Sequence, residues 1–169
     1  MEITLDQLLV SRENRWCKQS ELIAAHPNMT LVCLTVIMPG KVKRNFHSIV
    51  VAHAAITALI NHFANHDRGI EVRDLVTGYE AYLLTDLSPL EAKRLTCKIE
   101  NTHKLGRLFD IDVMKSDVTP ISRTEVGEQA RKCLICDHEA RYCMRNHSHT
   151  QNELHDKISK MIEDYVQRF

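Results

Sequence analysis

Apolar residues along this chain fall into stretches of distinct period, and each period predicts an element. Leu5, Leu8, Leu9, Trp16 and Ile23 recur at broadly helical intervals behind Thr4-Leu5-Asp6-Gln7, which has the form of a capping box. A helix is therefore predicted up to His26-Pro27. Residues 31–38 (LVCLTVIM) are continuously apolar and β-branched, the mark of a buried central strand, and Pro39-Gly40 ends it. Phe46, Ile49, Val50, His53, Thr57, Ile60 and Phe63 make one stripe of a long helix, with His53 expected as a hydrogen-bonded core histidine. Residues 71–76 and 79–85 read as two strands joined tightly at Thr77-Gly78, a hairpin. Ser88-Pro89-Leu90-Glu91 starts a helix to about Asn101, because Ser88 can cap, Pro89 suits the first turn and Glu91 can reach back. A short strand over 105–113, a turn around 117–120 and a short strand near 121–123 follow. Leu154, Ile158, Met161, Ile162 and Tyr165 predict an amphipathic closing helix over 151–169.

Strands and helices alternate irregularly, and the 77–78 connection is too short for a parallel crossover. The pattern predicts an α+β fold, a single domain over 1–169, with helices packed on a mixed β-sheet and a Cys/His-rich subregion at 131–150. With 169 residues, such a domain buries about 68–70% of its unfolded surface. Aromatics are only 5%, so aliphatic side chains must fill the core. No apolar run reaches the roughly 20 residues of a membrane span. The acidic start Met1-Glu2-Ile3-Thr4 moves straight into a helical pattern without a secretory signal, so a cytoplasmic protein with no membrane partner is expected.

Lys plus Arg and Asp plus Glu balance to a net charge of zero, which removes the simplest case for nucleic-acid binding. The chemistry concentrates in Leu105-Gly106-Arg107-Leu108-Phe109-Asp110-Ile111-Asp112-Val113. On a strand, Asp110 and Asp112 share one face and Phe109, Ile111 and Val113 the other. Two adjacent carboxylates each raise the cost of ionising the other, and a hard divalent cation removes that repulsion. Asp110 and Asp112 are thus candidate Mg2+ ligands. Gly106 offers close backbone approach and Arg107 a bidentate phosphate donor. A solvent-facing acidic edge strand is the plain alternative.

Cys133-Leu134-Ile135-Cys136 is a C-x2-C knuckle followed by Cys143 and then His147 or His149. Cys133, Cys136, Cys143 and His149 are a candidate structural Zn2+ site in a segment too poor in apolar residues to fold alone. Packed reduced thiols are the alternative.

The chain closely resembles the citrate lyase holo-enzyme synthases, or apo-citrate lyase phosphoribosyl-dephospho-CoA transferases. The resemblance lies in 8–13 (LVSRE with its leading Leu), Pro39-Gly40, 105–113 (LGRLFDIDV), Ile121-Ser122-Arg123 and 131–136, and runs on to Cys143 and His149. It implies transfer of the phosphoribosyl-dephospho-CoA group from triphosphoribosyl-dephospho-CoA to a serine of the citrate lyase acyl carrier subunit, with loss of pyrophosphate. The glycine followed by Asp-x-Asp is similar to a shortened nucleotidyltransferase signature, with Arg107 where a small residue is usual. Under this reading Asp110, Asp112, Arg107 and His103 are the catalytic candidates, with His103 placed to help deprotonate the serine. Ser11, Arg12, Arg15 and Lys43 are weaker phosphate-binding candidates. Lys93, Arg94 and Lys98 form a candidate docking patch for an acidic carrier. The same transfer to the malonate decarboxylase carrier subunit, or a non-enzymatic zinc adaptor, are the competing readings.

Overall fold

The computed structural model describes residues 1–167. Helix α1 spans Leu5–Ala25 and opens with the expected box, Thr4 accepting the Gln7 amide while the Gln7 side chain accepts the Thr4 amide. Strand β1 (Thr30–Val36) leads to α2 (Phe46–Phe63), capped by Asn45 and Ser48 in the same reciprocal way. The hairpin β2 (Asp67–Leu75) and β3 (Gly78–Thr85) follows, with β2 starting earlier than its apolar residues indicate. Helix α3 (Pro89–Thr102) begins at the Ser88–Glu91 box. A single 3-10 turn, Gly106–Leu108, delivers the chain into β4 (Phe109–Val113). Helices α4 (Ala140–Asn146) and α5 (Gln151–Val166) close the fold; the last two residues of the helix expected over 151–169 lie outside the described residues.

The four strands lie in the order β2-β3-β1-β4, and every neighbouring pair is antiparallel. The α+β class and single body are as expected; the mixed sheet is corrected to an antiparallel one. The reason is topological. Both helical crossovers, β1-α2-β2 and β3-α3-β4, do join parallel strands, but each pair has a third strand inserted between its members. This split βαβ arrangement is ferredoxin-like. It makes β1 central and leaves β4 as an edge.

The two faces of the sheet differ. On one, Val32, Leu34, Ala81, Leu83, Ile111 and Val113 pack against α2, α3 and the Ile158 and Ile162 positions of α5. On the other, α1 packs over Leu31, Cys33, Tyr82 and Met114 through Leu22 and Ile23. The expected stripes of α1 and α2 are corrected in part: Ile23, Val50 and Phe63 pack inward as expected, but other members do not. Leu5, Leu9 and Trp16 are exposed, because the sheet face under α1 is largely polar and takes Ser11, Arg15, Lys18 and Gln19 instead. Helix α2 buries Val51, Leu59 and Phe63 together with Ala52, Ala55 and Ala58, and the small alanines let its backbone approach the sheet. Phe46 and Ile60 therefore point outward, and His53 is exposed rather than a core histidine. Helix α2 is long and apolar enough to cross a membrane by length and composition, but that apolarity is accounted for by core packing. The strand expected near 121–123 reduces to one bridge, Met114 with Pro120, after which Ile121 donates its amide to Val113.

Candidate functional site

Strand β4 displays its carboxylates as the alternation requires. Phe109, Ile111 and Val113 are buried, Asp110 is exposed and Asp112 half-buried on the opposite face. Register places Asp110 opposite Thr35 and Asp112 opposite Cys33, and Thr35 Oγ1 donates to Asp110 Oδ2 at 3.3 Å. Burial first, and then the neighbouring Asp110 charge, push the Asp112 carboxyl above its usual range, against a weaker pull from Lys93 and Arg131. The nearest cation to Asp110 is Arg131, 3.8 Å from Oδ1. Among the described residues Arg131 is the one cation within 4 Å of the pair, and it makes no hydrogen bond to either carboxylate.

An edge strand normally exposes unpaired backbone groups. Here charged side chains close the free edge of β4. Glu100 Oε1 accepts the Ile111 amide at 3.0 Å, and Lys93 Nζ donates to the Ile111 carbonyl at 3.3 Å. Arg131 Nη1 donates to the Phe109 carbonyl at 2.9 Å. Glu100, only 4% exposed, is held in turn by Arg123 and Arg131, each at 2.6 Å. Sequence reading missed Glu100, which stands in no motif, and did not single out Arg123 or Arg131 as site residues although both lie in segments that carry the resemblance. Lys93 is buried at this edge and leaves the docking patch expected of it, while Arg94 and Lys98 stay exposed on α3.

The remaining candidates scatter. Gly106 is pressed on α3, where a Cβ would stand 2.3 Å from the Glu100 carbonyl oxygen, so its close approach is to protein. Arg107 is half-buried and donates through Nη2 to the Lys132 carbonyl. His103 caps α3 on the far side of the sheet, its ring 4.8 Å from Phe109 and 5.6 Å from Tyr165, with Nδ1 accepting the Leu105 amide. Burial lowers its pKa, and the fold does not bring it to the carboxylate face. Ser11 hydrogen bonds Thr77 Oγ1 at 2.8 Å, Arg15 pairs with Glu80 at 2.9 Å, and Lys43 donates to the Met38 carbonyl at 2.5 Å. Arg12 is exposed.

The C-terminal cluster is brought together. Cys133, Cys136, Cys143 and His149 offer ligand atoms all within 4.8 Å of one another. Cys136 Sγ lies 3.5 Å from Cys143 Sγ and 3.3 Å from His149 Nε2. These separations approach the roughly 3.5–3.8 Å edges of a tetrahedron with zinc–ligand bonds of about 2.0–2.3 Å. The bridge Lys132–Glu139 folds the knuckle, and α4 carries Cys143 to it. His147 turns away in the left-handed region at φ 47°, which lets the chain return with His149. Burial opposes ionisation of Cys133, but the Ile135 and Cys136 amides and the Cys143 and Cys136 sulfurs outweigh it and bring the thiol down to about 7.

A family model described as apo-citrate lyase phosphoribosyl-dephospho-CoA transferase matches residues 3–165. The chain belongs to that family. A Vibrio cholerae protein named "Probable apo-citrate lyase phosphoribosyl-dephospho-CoA transferase" is 37% identical over 98% of this chain and 94% of its own length. A Streptococcus pyogenes protein of the same name is 32% identical over 98% of this chain and 88% of its own. The Haemophilus influenzae "Protein CitXG" is 32% identical over 97% of this chain, which spans 36% of that longer protein. The matched range takes in both the carboxylate strand and the Cys/His cluster.

Proposed function

We propose that the chain transfers the phosphoribosyl-dephospho-CoA group from triphosphoribosyl-dephospho-CoA to a serine of the citrate lyase acyl carrier subunit. The serine Oγ–phosphorus bond forms as the bond from that phosphorus to the pyrophosphate oxygen breaks, and the serine proton passes to solvent. The family description, which names apo-citrate lyase and the phosphoribosyl-dephospho-CoA group, supports this choice of acceptor and transferred group. The observation that supports the chemistry is the under-compensated Asp110–Asp112 pair beside Arg131. Phosphoryl transfer demands positioning and charge neutralisation more than covalent participation. Asp110 and Asp112 are hard oxygen donors that would hold Mg2+, which when bound supplies positive charge to phosphate oxygens. Arg131, already fixed by Glu100 and the Phe109 carbonyl, keeps a guanidinium beside that charge without further ordering.

The test is mass spectrometry of the apo-carrier after incubation with donor, Mg2+ and this protein. The carrier should gain the mass of one phosphoribosyl-dephospho-CoA group, on a serine. An unmodified citrate lyase carrier would overturn the reading, and modification of the malonate decarboxylase carrier alone would redirect it.

The Cys133, Cys136, Cys143 and His149 set would hold Zn2+ as a closed structural site. Freshly reduced protein should then carry one Zn2+ per chain, and strong chelation should lower its melting temperature. Metal well below one equivalent would return these residues to packed thiols.

A further inference from the structure

Beside the carboxylate strand lies a cleft of about 270 Å3 between the end of α3, the 106–108 turn and the 123–132 segment. Arg107, Arg123, Arg131 and Lys132 line it against only two carboxylates, Glu100 and Glu128. Glu100 is already committed: Oε2 accepts Arg123, and Oε1 accepts both Arg131 and the Ile111 amide. Arg123 is likewise occupied, by the Gln129 carbonyl at 3.0 Å and Asn101 Oδ1 at 2.7 Å. Arg107 has no carboxylate among its hydrogen-bond partners, and its Nε is buried without a hydrogen-bond partner. Burial, and then the Arg131 and Arg123 charges, lower the Arg107 pKa, yet a guanidinium stays protonated in a protein. A buried donor left unpaired on a permanent cation is rare in native structures and needs a partner from elsewhere.

We infer that this cleft is an oligophosphate subsite, in which the Arg107 guanidinium and the unspent donors of Arg131 and Lys132 take the phosphate oxygens. Guanidinium forks match phosphate geometry, which a single carboxylate in so polar a cleft would exploit less fully. The volume falls below the roughly 300–1,000 Å3 of pockets for drug-sized ligands, so the cleft suits the phosphate chain and not the rest of a nucleotide-like donor. Arg131 joins the two halves of the site, since it lines the cleft and stands 3.8 Å from Asp110. In the transferase reading, on which this inference builds, the cleft holds the pyrophosphate end of the donor.

The probe is inorganic pyrophosphate, titrated calorimetrically into the full-length protein with and without Mg2+. Wild-type protein should bind it, more weakly as salt rises, and the Arg107 Nε–H resonance should shift on binding. Arg107→Met keeps the length of the side chain and removes the unpaired charge. It should weaken pyrophosphate binding at least tenfold while the melting temperature holds or rises. A wild-type protein that binds no pyrophosphate at millimolar concentration overturns the inference, as does an unmoved Arg107 Nε–H resonance; both are measured on wild-type protein and decide the question even if the variant fails to fold. In the transfer assay, pyrophosphate should inhibit competitively against the donor. Pyrophosphate binding without any carrier modification would keep the cleft and remove the transferase reading. Carrier modification insensitive to pyrophosphate would do the reverse.

Discussion

Glu71 and Glu80, on β2 and β3, share one sheet face with Asp110 and Asp112 on β4, yet the two pairs are treated differently. Register sets Glu80, Thr35 and Asp110 in one row, and Glu71, Tyr82, Cys33 and Asp112 in the next. Helix α1 lies over the first pair and neutralises it: Arg15 meets Glu80 at 2.9 Å, and Lys18 meets Glu71 at 3.2 Å with Arg73 on its other side at 2.8 Å. Tyr82 adds its hydroxyl to Glu80 at 2.6 Å. The β4 pair receives one threonine hydroxyl and an arginine at 3.8 Å. The same residue chemistry is thus closely ion-paired where a helix brings cations to it, and only loosely paired on β4, where the one cation within 4 Å among the described residues is Arg131. Under the proposed function, weakly compensated charge, rather than charge itself, distinguishes the β4 half of this face.

The largest effect should come from the β4 half. Asp110→Asn or Asp112→Asn should leave the fold intact and slow transfer by roughly two to four orders of magnitude, about 3–5 kcal/mol of transition-state stabilisation. Near-normal rates at saturating Mg2+ would erase the distinction between the halves. In the α1 half the loss should appear in stability. Arg15→Met strands the Glu80 charge, whose side chain is only 5% exposed, and should cost about 2–3 kcal/mol in urea denaturation, somewhat under the full value for a buried pair because Arg15 is partly solvated. An unchanged denaturation midpoint would mean that the polar face of α1 is dispensable.

Asp112 offers a finer test through pH. Its pKa is raised in the folded state, so between the ordinary carboxyl value of 3.8 and the raised one the native state binds more protons than the unfolded state. Its contribution to stability therefore falls as pH rises through that window. Lowered carboxyls such as Glu71 and Asp74 slope the other way, so the quantity to measure is the difference between wild type and Asp112→Asn. That difference should grow in favour of the variant across the window and shrink when Mg2+ is added. A flat difference would mean that Asp112 carries no surplus charge. The smallest effect is expected at the exposed Arg94 and Lys98. Reversing both to Glu should raise the Michaelis constant for the carrier a few-fold, leave that for the donor alone, and lose the difference at high salt.

Local signals were legible because they depend on neighbours in sequence. The capping boxes at Thr4 and Ser88, the hairpin, the apolar central strand and the alternation of Asp110 and Asp112 all appear where the residues put them. The Cys133, Cys136, Cys143 and His149 set was legible for the same reason, since its ligands are few, chemically distinctive and close along the chain. The helix faces were not. Large apolar residues marked stripes on α1 and α2, but what a helix buries depends on the surface it meets: a sheet face polar toward the start of α1 and apolar toward its end, and a close-packed face under α2 that takes alanines alongside Val51, Leu59 and Phe63.

Tertiary structure alone decided who serves β4. Glu100, Lys93 and Arg131 reach its free edge from α3 and from a loop, because an edge strand needs partners for its backbone groups and sequence order does not say which side chains arrive. The fold also gave Gly106 to packing, Ser11 and Arg15 to the α1 interface, and His103 to the opposite face. Sequence by itself determined that two carboxylates would share a face, and it marked three thiols and an imidazole as candidates to meet, which the fold then brought together. Whether any charge on that face would be left over depended on three-dimensional placement, because compensation is a sum over neighbours in space.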